Sequence, residues 1–166
     1  MLPLYSQSIC RPYIGTPLRC VRSVLRLGIL AAMAVATVAA GDDRELVKLP
    51  EPMQAHMLGN MRDHLATLNE LLKLVAKEEY KPAAELAEAR LGMSSLGLHG
   101  AAHMAPFMPQ PMQEMGTGMH HAASRFALVA TDADVERSKA SLQQVTAALQ
   151  EVTATCVACH SAYRIH

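Results

Sequence analysis

The chain has 166 residues, half of them hydrophobic (51%), with 15 Lys plus Arg balanced by 15 Asp plus Glu. That size holds one domain with or without an address segment, and the zero balance excludes a basic nucleic-acid binder. No apolar run reaches the twenty or so residues of a spanning helix, and four cysteines are too few for a disulfide scaffold. The first forty residues contain no acid and carry Arg11, Arg19, Arg22 and Arg26 ahead of an apolar, small-residue run from Leu27 to Ala40. This is the layout of a secretory signal peptide, with Val38 and Ala40 as the small residues before a cut at Ala40-Gly41. An uncleaved membrane anchor is the alternative, for which the run is barely long enough. Cleavage leaves a domain from 41 to 166 with 11 basic and 15 acidic side chains, a net charge of −4. Cys10 and Cys20 depart with the signal, and a basic docking partner becomes more natural than an anionic one.

Helical period dominates the rest, and no alternating β-branched run suggests a sheet. A first helix is expected from about Pro52 to Lys77, with the apolar stripe Leu58, Met61, Leu65, Leu68, Leu72 and Val75. Pro82 opens a second, Ala-rich helix that ends near Gly100, weakened by Gly92 and Gly97. Pro106, Pro109 and Pro111 forbid a continuous helix from Ala101 to Pro111, which becomes a long crossing. A third helix follows from about Met112 to Ala130 on Met112, Met115, Met119, Ala122, Phe126 and Val129, ended by Thr131 and Asp132. Asp132 or Asp134 then caps a fourth helix carrying Val135, Leu142, Val145, Leu149 and Val152, whose spacing continues through Cys156, Cys159 and Tyr163. The expected fold is all-α, an antiparallel four-helix bundle with one longer crossing.

Residues 156 to 160 read CVACH. A C-x-x-C-H run is the attachment motif of c-type haem: two thiols one helical turn apart can add to two vinyl groups on one porphyrin edge, and the next His binds the iron. A thioredoxin-like CxxC opens a helix after a strand, a structural zinc site wants four ligands, and a disulfide within one helical turn is strained.

The run CVACHSAYR, set on the last helix of a four-helix domain behind an export signal, resembles the class II cytochromes c, the cytochrome c-prime family. The resemblance implies Cys156 and Cys159 as thioether anchors, His160 as axial iron ligand, and Tyr163 and Arg164 as the usual followers, Arg164 beside the cofactor. It also directs attention to MQAHM, Met53 to Met57, where the family has R-Q-x-x-Leu or R-Q-x-x-Met on its first helix. Gln54 matches, Met53 replaces the Arg, and the distal residue is Met57. Family members with Met there are six-coordinate electron carriers, while those with Leu or Phe are five-coordinate and open to gases such as nitric oxide. The helical wheel also favours Met57: it lies within the core-facing arc, His56 falls about 100° away, and His64 falls about 20° away as a rival ligand. The expectation is a non-enzymatic, periplasmic electron carrier with one covalent haem c, redox-partner proteins, and a homodimer through the first two helices. One further segment offers soft donors: His99, His103, Met104, Met108, Met112, Met115, Met119, His120 and His121. Residues 99 to 121 therefore carry a copper-handling alternative, with His120 and His121 expected to point away from the apolar stripe.

Overall fold

The computed structural model describes residues 41–166, and the signal peptide, its anchor alternative, Cys10 and Cys20 lie outside them. The architecture is all-α. A two-residue strand β1 (Glu45–Leu46) leads into helix α1 (Glu51–Ala76), followed by α2 (Tyr80–Arg90), a single turn α3 (Ala101–Met104), α4 (Gln110–Glu136) and α5 (Lys139–Ala162). The chain then adds β2 (Tyr163–Arg164), which pairs in parallel with β1 so that Glu45 faces Tyr163 and Leu46 faces Arg164. Among the described residues no helix is long and apolar enough to cross a membrane.

Local chemistry accounts for the boundaries. α1 begins behind Pro50 with Pro52 in its first turn, where a missing N–H leaves no acceptor unpaired. α2 starts two residues ahead of Pro82 and ends at Arg90, ten residues short of the Gly100 expected from its composition. The stop is built by Glu88, whose carboxylate accepts from the Ser94 backbone N–H (3.0 Å) and from the hydroxyl of Ser124 (2.6 Å) on α4. A Cβ at Gly92 would collide with that Glu88 side chain. The crossing is itself partly helical, with α3 and a 3₁₀ turn at Ala105–Phe107, because Pro106 sits at the start of a turn rather than inside one. Pro109 and Pro111 then initiate α4 two residues earlier than expected.

Thr131 and Asp132 do not end α4. The Thr131 hydroxyl donates to the Ala127 carbonyl, a bond the helix accommodates, and α4 continues to Glu136 until Arg137 turns left-handed (φ 46°). Ser138 rather than Asp132 or Asp134 caps α5, through a capping box with Ser141. Val135 consequently belongs to α4, where it is exposed.

The two-residue link Arg137–Ser138 folds α5 back along α4, and α2 lies on α4 with α1 covering α2. Ala83, Ala87, Ala122, Ala123 and Ala130 are all fully buried between these helices, and their small side chains allow close approach around Tyr80 and Phe126. The phase of α1 differs from the expected stripe. Its inward line runs through Met57, Thr67, Leu71 and Val75, while Leu65 (68% exposed) and Leu72 (54%) face outward. The interior thus divides into a large cluster among α1, α2, α4 and α5, and a small one of Val47, Met57, Met104 and Met112 near the chain ends.

Candidate functional site

Beside the small cluster lies a cavity of about 520 Å³, bounded by α1, the crossing segment, α4, the end of α5 and the segment around Arg44. Its size falls within the roughly 300–1,000 Å³ usual for cofactor and ligand pockets. Cys156, Cys159, His160, Met57 and Arg164 all line it, although they come from opposite ends of the domain. α5 supplies the first three. The helical period that buries Val145, Leu149 and Val152 brings both thiols to the inner flank, each half-buried, while Val157 between them is exposed. Cys156 packs against the large cluster and Cys159 against the small one. Burial pushes both thiols up from their ordinary value, with Cys156 adding to the effect at Cys159, so both are protonated at neutral pH. His160 borders the cavity and is otherwise open to solvent.

Met57 is 9% exposed, in the small cluster with Val47, Met104 and Met112, against which Met53, Met61, Met108 and Tyr163 pack. Its helix is tied to the motif's end of the chain by Gln54, whose amide donates to the Ile165 carbonyl (2.6 Å). The donor set suits a large, flat, mainly apolar group: seven methionines line the cavity together with two adjacent thiols and an imidazole. Arg164 adds a polar observation. Its buried Nε makes no hydrogen bond but is ion-paired with the Asp42 carboxylate at 3.6 Å, and its Nη1 donates to the His166 carbonyl (3.2 Å), which holds the guanidinium at the cavity edge. The residues present therefore fit a haem c.

A second polar feature was not legible from spacing. His64 of α1, His99 after α2 and His120 of α4 meet at one wall of the cavity, with ring centroids 4.5 Å (His64 to His99) and 5.3 Å (His99 to His120) apart. His120 is buried, against the expectation that it points away, because the inner face of α4 is broad enough to include it beside Met119; its Nδ1 donates to the Leu91 carbonyl (2.7 Å). His121 is exposed as expected, and so is His103. His56, expected to be solvated, is exposed and hydrogen-bonds the His99 carbonyl (2.9 Å). Among the described residues no group of three or more His, Cys, Asp and Glu side chains is arranged to hold a metal ion.

Burial holds His64 down from 6.5 to about 4, and the neighbouring His99 and His120 rings act in the same direction; burial lowers His99 too. The unfolded chain therefore binds more protons than the folded one between these values. Stability contributed by neutral His64 is complete above pH 6.5, declines as pH falls and levels off near pH 4. Its solvent-facing edge trims the effect to roughly 2 kcal/mol. Urea titrations at pH 7.5 and 4.5 should show this loss in the wild type and a shallower one in His64→Leu.

No family model, no curated protein and no solved structure matches the chain.

Proposed function

We propose that this protein is an exported electron carrier whose cavity would hold one haem c, with Cys156 and Cys159 to anchor it and His160 and Met57 to ligate its iron. The observation that carries this reading is that the C-x-x-C-H thiols, its His and Met57 line one cavity although about a hundred residues separate them. A haem so held supplies one-electron redox chemistry. The chain's own part is to keep water from the group with its methionine and alanine walls, to fix His160 on a helix end, and to present a thioether from α1. A thioether favours the reduced metal and raises the potential relative to a second nitrogen ligand. The net charge of −4 suits basic redox partners, and the outward Leu65 and Leu72 on α1 suit pairing of two chains through that helix.

The gas-binding alternative gains from the cavity's lining, which includes the His64, His99 and His120 rings besides Met57. The copper alternative gains less, because its methionines line the same cavity as the two thiols rather than a place of their own. A pyridine haemochrome of the exported protein tests for haem c. A far-red thioether-to-iron band in the oxidised wild type, lost in Met57→Ala, is the expected outcome for the carrier. Rapid CO uptake by the reduced wild type without that band would select the gas-binding reading.

A further inference from the structure

The segment ahead of α1 is fastened to the chain around the C-x-x-C-H motif at several points. β1 pairs with β2, the Val47 N–H donates to the Arg164 carbonyl (2.8 Å), and the Val47 side chain is buried in the cluster that holds Met57. Arg44 makes the contact nearest the motif's histidine. Its Nη1 donates to the carbonyl oxygen of His160 (3.3 Å). That carbonyl belongs to the last turn of α5, where helical acceptors have no intrahelical donor and where a cation complements the helix dipole. The guanidinium is itself aimed: Asp42 takes its Nε (2.8 Å) and Nη2 (2.7 Å) in a two-point grip, which leaves Nη1 to reach across. Arg44 holds the Asp42 carboxyl down to about 2, so the grip persists at any ordinary pH. Arg44 also borders the cavity beside Arg164.

We propose that Arg44, aimed by Asp42, is a positioning residue for His160: it fixes the backbone from which the imidazole reaches the cofactor. The inference rests on the haem reading above. With its carbonyl free, the last turn of α5 frays and the ring plane of His160 loses its fixed orientation. A lysine keeps the charge at this point but has no fork for Asp42 to grip, so charge and positioning are separable. The arrangement differs from anything visible in spacing, since Asp42 and Arg44 lie more than a hundred residues before the motif they hold.

The test uses the full-length, haem-loaded protein and its Arg44→Gln, Arg44→Lys and Asp42→Asn variants. Asp42 and Arg44 lie outside both buried clusters, so the fold and the thioether links are retained, which haem content per chain verifies. The g values of the oxidised haem report the orientation of the axial ring. They should shift in all three variants, including Arg44→Lys. The reduction equilibrium constant should fall about threefold in Arg44→Gln, roughly 28 mV at about 59 mV per tenfold for one electron. In the haem-free protein, amide exchange at Tyr163 and Arg164 should quicken at least tenfold in Arg44→Gln. Wild-type g values in a fully loaded Arg44→Gln protein, or their recovery in Arg44→Lys, would overturn the inference while leaving the carrier reading intact. Absence of haem from the wild type would sink both.

Discussion

Replacing Cys156 and Cys159 together by alanine should take covalent haem from one per chain to none, measured as pigment that stays with the polypeptide after acid-acetone extraction. Each single substitution should leave a reduced fraction held by one thioether. The thiols are the only cysteines among the described residues and neither is paired in a disulfide, so nothing else there can form the link. The helical signal in circular dichroism should persist. Cys159 touches only the small cluster and Cys156 only borders the large one, whose fully buried alanines, Tyr80 and Phe126 are untouched. Loss of helix in step with loss of haem would show instead that the bundle depends on the cofactor.

Phe126→Ala should have the reverse character. Phe126 is fully buried at the centre of the large cluster on α4, and removing a ring from such a site costs about 3–5 kcal/mol. Against a typical total of about 5–15 kcal/mol that is a large share, and the urea midpoint should drop by roughly 2 M. The folded fraction should keep the wild-type haem spectrum, because Phe126 is not among the cavity's lining residues. A changed spectrum at unchanged urea midpoint would contradict the division of the interior into two clusters.

The helices were legible where periodicity was long and the residues wholly apolar, as on α5 from Val145 to Val152. On α1 the leucine spacing points to a different stripe from the one the fold buries. Thr67 and Leu71 sit on the inward line instead, and Leu65 and Leu72 follow a seven-residue repeat on the outer flank. Hydropathy alone places leucine inside and threonine outside, and here the packing of α2 on α1 decides otherwise. The end of α2 was hidden because Glu88, Ser94 and Ser124 build it together, and Ser124 lies on another helix. Within the site, the C-x-x-C-H run is local and legible directly, whereas Met57 is picked out by the family resemblance and by the helical wheel. The meeting of His64, His99 and His120, and the reach of Arg44 to His160, depend on long-range placement that spacing does not encode.

The unequal partition of the interior has a consequence for how this chain can change. The large cluster is made mostly of alanines, an aromatic pair and branched side chains in mutual contact; the small cluster beside the cavity is rich in thioethers that deform easily. The methionine-rich walls can be altered in shape, and with them the tuning of a bound group, without disturbing the packing that keeps the helices assembled. Variation aimed at the proposed cofactor's surroundings therefore belongs among Met61, Met108 and Met115 rather than between α2 and α4.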